Sequence, residues 1–479
     1  MLSKERTMSA QRIANNSEPC KLRGGLLILT VAFVFWVNYQ LSSAFYQQSF
    51  QQTAESLVTK AALTESITIA GSASCSGRAC HGGSQPIHGQ VVGQNEYSKW
   101  IANDPHLKAF QVLFSDRAKN ISKNLGGPEA HKDSRCLACH ITPQVSNLQL
   151  KADYALDFGV GCESCHGTAT KSWLSEHTTA QWKSLSFDKK QKAYDSHGMN
   201  FLSNPSIQAQ VCVGCHIGSP ADAEKNVPLR DANHDIMAAG HPRLIFEATT
   251  FAENMPPHWN ENKYFKEPER KVALWANGQV IVAWASAKLA ELRSGEKAEV
   301  WPEFAQNDCF ACHADISNPS WRRSSDYYSG RKAGALPINN WPFAWLDVSL
   351  ELLGKKEHSI LKSLREYQSI AEKVSSSKQQ VNFASKGLAS SLSELVGELR
   401  QPDGQVSRDW KNILGKSLAA KSTSAASWDF SVQHSIASSV FAAESKAVPQ
   451  AIWESLSFPP GYESPKGYKP ALKKAFNGN

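Results

Sequence analysis

The sequence lacks a Gly-rich phosphate-binding loop, a nuclease-like cluster of carboxylates and, after about residue 45, any apolar run of membrane-spanning length. Only five methionines are present in 479 residues, and the strict alternation of apolar and polar residues that marks β-strands is scarce. These absences argue against nucleotide- or nucleic-acid-directed chemistry and against a sheet-based fold. We therefore expect a mainly α protein with long loops.

Cysteine, in contrast, is abundant and regularly placed, because ten of the eleven cysteines lie in five pairs that are each followed directly by a histidine. The motifs are Cys75-x4-Cys80-His81, Cys136-x2-Cys139-His140, Cys162-x2-Cys165-His166, Cys212-x2-Cys215-His216 and Cys309-x2-Cys312-His313. Two thiols that form thioethers with porphyrin vinyl groups, followed by an imidazole that ligates the iron, are the pattern of c-type haem attachment. The sequence predicts five covalently bound haem c groups.

Cysteine pairs also occur in zinc sites, redox dithiols and disulfides. A histidine after every pair favours haem, because only 15 of the 479 residues are His. The first motif has four residues between its cysteines, so a Cys75–Cys80 disulfide is its alternative. Cys20 stands outside the motifs.

Haem attachment of this kind takes place outside the cytoplasm, and the N-terminus carries a matching export signal. Residues 1–23 contain five basic and two acidic residues and precede the uncharged run Gly24–Val37. Basic-then-apolar order leaves the N-terminus in the cytoplasm. We expect a single-pass anchor in the cell membrane with the haem domain in the periplasm or an equivalent space; cleavage near Ser42-Ser43-Ala44, giving a soluble periplasmic protein, is the alternative.

The formal charge of +7 omits the cofactors. The leader contributes three of these charges, and five haems would add about ten propionate charges, offset by about one positive charge per ferric iron. The exported part would then be close to neutral when oxidised and negative when reduced. A basic nucleic-acid-binding surface is therefore not expected.

Composition divides the chain into five stretches. They are a leader and anchor or signal segment at 1–45, a Gln/Ser/Thr-rich linker at 46–72, a pentahaem domain at 73–320, a haem-free helical region at 321–457 and a flexible tail at 458–479. Amphipathic stretches at Ser349–Val374 and Gly387–Leu399 predict helices in the C-terminal region. In the haem domain we expect porphyrin rather than aliphatic side chains to form most of the core.

The sixth ligand of each iron is expected to be histidine. Five proximal histidines leave ten others, whereas Met199, Met237 and Met255 are the only methionines after the leader. Ligation by two histidines lowers the reduction potential relative to His/Met ligation.

His106 is the first distal candidate. Asp104 is predicted to cap a helix that begins at Pro105, so that His106, Phe110 and Leu113 share one apolar face.

Further candidates follow from spacing. Trp173 and His177 are four residues apart, and His234 and His241 are seven apart, about 10.5 Å along a helix, which would let them serve two neighbouring irons. His258 is the fifth candidate, in a Pro-Pro-His-Trp run. His88, His131 and His197 are weaker candidates, and His358 and His434 are expected at the surface.

Four runs resemble multihaem cytochromes of the cytochrome c-554 type: Glu96–Trp100 with Asp104–His106, Gly161–Gly167, Asn233–Leu244 and Trp301–His313. The resemblance covers roughly residues 73–325. It implies a mostly helical domain of closely stacked haems that passes electrons, with distal histidines drawn from the runs that hold His106, His177, His234 and His241. The fifth haem, the x4 motif, the anchor and the haem-free C-terminal third depart from the best-known tetrahaem members.

Two functions remain open. The first is an electron carrier in which every iron is six-coordinate, with a redox protein or a quinol-linked membrane complex as its partner. The second is an oxidoreductase in which one iron stays open for a small nitrogen or sulfur compound. The supply of histidine favours the electron carrier, and no residue is assigned a catalytic role.

Overall fold

The computed structural model describes residues 69–87, 92–142, 159–168, 172–222, 227–259, 267–313, 331, 335–355, 358–400, 406–421 and 427–442. In these residues the regular structure is helical, and β-pairing is limited to three isolated bridges, Ser219 with Arg230, Asp222 with Val227 and Asn307 with Ile338. The prediction of a mainly α fold without a sheet is confirmed for this part of the chain.

Several predicted features lie outside the described residues. They are the Gly24–Val37 segment, the Ser42-Ser43-Ala44 site, Cys20, most of the 46–72 linker, the boundary at residue 320 and the 458–479 tail. Among the residues that are described, no helix is both long and apolar enough to cross a membrane.

The region that holds the cysteine motifs consists of short helices joined by loops. Its α-helices are Glu96–Asn103, Asp116–Leu125, Ser134–His140, Cys162–His166, Trp173–Glu176, Ala180–Ser184, Phe187–His197, Pro205–His216, His234–Ala238, Ala248–Asn254 and Cys309–Cys312. One-turn 3-10 helices occur at Ser72–Cys75, Pro105–Lys108, Gln111–Phe114, Ala130–Lys132 and Phe304–Gln306.

A long helix, Pro268–Arg293, packs against more of the described helices than its neighbours do and is called the central helix below. Its apolar residues occupy every face rather than one stripe, and it is buried over most of its length, as expected for a helix surrounded by protein. Helices before and after it in the chain pack on it: Pro205–His216, Ala248–Asn254, Leu346–Leu352, Lys378–Leu399 and Trp428–Phe441.

The C-terminal region is helical, as predicted, with helices Leu346–Leu352, His358–Ala371, Lys378–Leu399, Trp410–Lys421 and Trp428–Phe441. The predicted 349–374 stretch is two helices rather than one, because the first ends before Gly354, whose φ of 68° suits glycine. The helix predicted to begin at Gly387 starts at Lys378, where Ser377 and Gln380 form a capping box.

One apolar core joins a haem-motif helix to the C-terminal helices. Val213 of Pro205–His216, Trp275 of the central helix, Trp345 and Leu388 belong to the same buried cluster. The expectation that porphyrin largely replaces an aliphatic core is therefore wrong around the central helix. A smaller cluster that includes Phe110, Leu113 and Leu137 lies among the shorter helices.

Candidate functional site

Helices position four of the five cysteine motifs. Cys136 and Cys139 lie on Ser134–His140, Cys162 and Cys165 on Cys162–His166, Cys212 and Cys215 on Pro205–His216, and Cys309 and Cys312 on Cys309–Cys312. Side chains three residues apart on a helix share a face, so each pair presents both thiols on one side. Asp133, Asn204 and Asp308 cap three of these helices with their side chains.

The first motif, Cys75-x4-Cys80-His81, has a different local structure. Cys75 ends a 3-10 turn, and the backbone N–H groups of Cys80 and Gly82 both donate to the carbonyl oxygen of Gly77. A Cβ at position 82 would overlap the carbonyl oxygen of Ser76, so this tight loop requires glycine there. None of the ten cysteines in the described residues forms a disulfide, and Cys75 and Cys80 are both free thiols.

Each of the five motif histidines lies beside one further histidine. The pairs and the distances between their ring centroids are His81 with His177 (6.3 Å), His106 with His216 (6.0 Å), His140 with His241 (6.5 Å), His166 with His258 (6.3 Å) and His234 with His313 (6.4 Å). The five further histidines are the five distal candidates that the sequence suggests, and no two pairs share a ring. His234 and His241 face different motif histidines.

The spacing within the pairs fits a metal ion between the rings. Each nitrogen lies about 2 Å from a bound metal, so imidazoles on opposite sides of one ion have centres roughly 6 Å apart. No group of three or more His, Cys, Asp or Glu side chains that could hold a metal ion occurs among the described residues. Two facing imidazoles with two free thiols next to one of them would suit a covalently attached haem.

Hydrogen bonds to Nδ1 orient several of these rings and leave Nε2 as the nitrogen available for a metal. The Nδ1 atoms of His140, His177 and His241 bond to the backbone carbonyl oxygens of Ala109, Trp173 and Pro242, each at 2.8 Å. Such contacts fix ring orientation and tautomer at metal sites.

Two rings bond to carboxylates instead. Nδ1 of His81 lies 2.9 Å from Oε2 of Glu96, and Nδ1 of His106 lies 2.9 Å from Oδ1 of Asp104. Asp104 also accepts from the backbone N–H of His106 and caps the Pro105–Lys108 turn, with proline at its first position. The predicted cap is confirmed, although the turn is a 3-10 helix. The sequence did not predict that Asp104 contacts the imidazole of His106, nor that Glu96 contacts His81. The predicted Asp104 cap was the only sequence feature that pointed to either contact.

Burial favours the neutral imidazole, which is the form that ligates metals. It lowers the pKa of His166 and of His216 to about 4 and also lowers the pKa of His258 and His241. His106 differs, because its hydrogen bond to Asp104 raises its pKa.

Neighbouring motifs approach one another through their thiols. The thiols of Cys75 and Cys162 lie close enough to shift each other's pKa, as do those of Cys139 and Cys215. Burial raises the pKa of the Cys165 thiol, and the nearby Cys212 thiol raises it further. The first motif is thus next to the third, and the fourth is next to both the second and the third.

A small cavity of ≈ 70 Å³ lies near the His234–His313 pair. Met237, one turn after His234, and Gln306, in the turn whose Phe304 contacts His234, line it. Arg243 and Arg293 also line the cavity and are held by Asp429 and Asp231. Guanidinium groups are hydrogen-bond donors that suit carboxylates.

The other histidines whose side chains the structure describes do not join the pairs. His131 stacks on Phe114, and His197 bonds to Ser172. His88 lies outside the described residues, as does the side chain of His358. The prediction of a surface position for His434 is wrong: it is 1% exposed and its Nε2 bonds to the carbonyl oxygen of Leu418, because its helix is buried on most sides.

Comparison with known proteins gives one family. Residues 74–167 and 161–238 match the family model described as Cytochrome c554 and c-prime. The two matches together include four of the five cysteine motifs. No curated protein and no solved structure matches the chain.

Proposed function

We propose that this chain, whose residues 74–238 belong to the cytochrome c554 and c-prime family of multihaem c-type cytochromes, transfers electrons through five haems that each have two histidine ligands. The observation that carries the proposal is the set of five histidine pairs, all with ring centroids 6.0–6.5 Å apart. Because each motif histidine has its own partner, no iron would retain an open position for a substrate.

The chain's residues would hold the haems in fixed positions. Haem iron supplies one-electron chemistry when bound. The paired cysteines would tether each porphyrin, and the paired histidines would hold its iron. The Nδ1 hydrogen bonds of His140, His177 and His241 to backbone carbonyls keep those rings in place. An iron that keeps the same ligands in both oxidation states is suited to electron transfer rather than to reactions that make or break bonds in a substrate.

The closeness of these thiols supports a continuous route. Neighbouring sites would run from the His81 pair to the His166 pair, then to His216 and to His140. The last step, to the His313 pair, is supported by the short segment from His234 to His241, because its two ends face the fifth site and the site of His140. The fifth site would then lie at one end of the chain of haems, beside the cavity lined by Arg243 and Arg293.

Location and partner follow from the N-terminal sequence. We propose that Gly24–Val37 anchors the chain in the cell membrane, with the haem domain on the outer side, where a redox protein or a quinol-linked complex exchanges electrons with it. Five basic residues before the apolar run support this orientation. The protein should sediment with membranes and resist a high-salt wash. A mature N-terminus near residue 45 would instead identify a cleaved signal peptide.

Electron paramagnetic resonance of the oxidised protein tests the main proposal. All five ferric haems should be low-spin, and the reduced protein should bind carbon monoxide at no haem. It should exchange electrons with small mediators while turning over nitrite and hydroxylamine negligibly. A native high-spin signal that shifts on addition of nitrite or hydroxylamine would overturn the electron carrier in favour of an oxidoreductase.

A further inference from the structure

The five histidine pairs differ in what holds the nitrogen that faces away from the metal position. His81 and His106 bond to carboxylates, Glu96 and Asp104, at 2.9 Å. Both rings of the His140–His241 pair bond to backbone carbonyls instead. Nδ1 of His258 is buried and has no hydrogen-bond partner within the described part of the chain.

The acceptor on Nδ1 changes how strongly an imidazole donates to iron. A carboxylate accepts a charge-assisted hydrogen bond, about twice as strong as one to a neutral carbonyl, and it raises the basicity of the ligand. A more basic ligand and an adjacent negative charge both stabilise ferric iron relative to ferrous iron. Hydrogen bonding of this kind is one of the means by which a protein sets haem potential.

By this reasoning, Asp104 should lower the reduction potential of its haem more than Glu96 does. It is 2% exposed, and its second oxygen, Oδ2, is buried without a hydrogen-bond partner among the described residues. Glu96 has a more exposed side chain and also accepts from the backbone N–H of Gly93, at 2.7 Å. Asp104 also accepts one backbone N–H, from His106, so the two carboxylates differ in burial and in the unbonded Oδ2 of Asp104, which leaves the charge of Asp104 less well neutralised.

We propose that Glu96 and Asp104 are positioning residues that give the His81–His177 and His106–His216 haems the two lowest reduction potentials of the five, with the His106–His216 haem the lower. The inference rests on the proposed function. It assigns a role to two residues whose side chains touch neither porphyrin-attachment cysteines nor iron in the arrangement described above. In the partly reduced protein, electrons would rest on the other three haems at equilibrium.

Conservative variants of the full-length protein isolate the charge from the fold. Asp104→Asn keeps a good helix cap and an oxygen for Nδ1 of His106. Glu96→Gln keeps one acceptor oxygen, which can serve Nδ1 of His81, while its NH2 group cannot accept from the N–H of Gly93. Glu129→Gln is the matched control, because this exposed carboxylate lies next to His131, which belongs to none of the pairs.

Each variant is titrated spectropotentiometrically, and the titration is fitted with five components, one for each haem. Haem content and low-spin spectra are recorded for each variant. Asp104→Asn should raise the lowest component by about a tenfold change in its reduction equilibrium, or about 59 mV for one electron. Glu96→Gln should raise the second lowest by less, and Glu129→Gln should leave all five in place.

The outcomes separate this inference from the proposed function. Five low-spin haems with unchanged titrations in Asp104→Asn and Glu96→Gln would overturn the tuning role and leave the proposed function standing. A shift of the component with the highest potential, in either variant, would do the same. Fewer than five haems, or a high-spin haem, in the unmutated protein would instead contradict the proposed function. Loss of a haem only in Asp104→Asn leaves Glu96→Gln to decide, and no shift there overturns the inference.

Discussion

The imidazole rings of His81 and His177 are nearly parallel, with an interplanar angle of 8°. The rings of His234 and His313 are tilted by 32°, whereas the His166–His258, His106–His216 and His140–His241 rings stand at 73°, 83° and 90°. If one iron lies between the rings of each pair, the pairs would place their irons in two kinds of ligand field.

Electron paramagnetic resonance should resolve these two kinds. Parallel imidazole planes separate the energies of the two iron d orbitals that interact with them and give a rhombic low-spin signal. Perpendicular planes leave those orbitals nearly equal in energy and give a strongly axial signal with a large maximum g value. We expect three of the five haems in the axial class. A spectrum with only rhombic signals would contradict the ring geometry.

Replacement of a distal histidine should open one haem. In His177→Ala, one low-spin ferric haem should become high-spin, bind carbon monoxide when reduced and rise in potential, because the iron loses an imidazole donor. His197→Ala is the matched control, since His197 is nearby in the chain but bonds to Ser172 rather than facing a motif histidine. An unchanged spectrum in His177→Ala would remove His177 from the ligand set.

Haem number depends on the cysteine pairs. Pyridine haemochrome and intact mass should report five haems, and Cys162→Ala with Cys165→Ala should remove one and destabilise the domain, because the lost macrocycle leaves a void. Cys20→Ser, outside every motif, should retain all five. Four haems in the unmutated protein, with Cys75 joined to Cys80, would show that the first motif does not bind haem.

Sequence identified the chemistry of the site better than its assembly. The order Cys, Cys, His is local, and the Asp104-Pro105 cap is also local, so both can be predicted from neighbouring residues. The partner of each motif histidine is not local: His81 meets His177, and His313 meets His234, through contacts between distant segments. No periodicity in a single sequence encodes such contacts, so the pairing could not be predicted.

The central helix illustrates a second limit. Helix prediction depends on an apolar stripe with polar residues opposite, and Pro268–Arg293 is apolar on every face because other helices surround it. The same burial explains the error at His434. Polar neighbours in the sequence, such as Gln433 and Ser435, suggested a surface, yet both are buried with it.

The core around the central helix should carry much of the stability. Leu388→Ala should lower the free energy of unfolding by about 2–5 kcal/mol, the range for a large aliphatic side chain removed from a packed interior, because Leu388 is fully buried in the shared cluster. Phe383→Ala, on the same helix but 76% exposed, should change it by about 0.5 kcal/mol or less. Urea unfolding followed by circular dichroism makes the comparison. Equal effects would contradict the assigned core.

His434 should make stability depend on pH. Burial lowers its pKa below the ordinary value of about 6.5, and Lys421 also disfavours its charged form. Above pH 7 the residue is neutral whether the chain is folded or unfolded. As pH falls through about 6.5, the unfolded chain takes up a proton that the folded chain does not, so stability falls, by at most about 1.4 kcal/mol per pH unit.

His434→Gln removes this proton uptake. The difference in unfolding free energy between the two proteins, measured in urea from pH 7.5 to 5, should therefore shift in favour of the variant as pH falls. A difference that is constant with pH would show that His434 keeps its ordinary pKa in the folded protein.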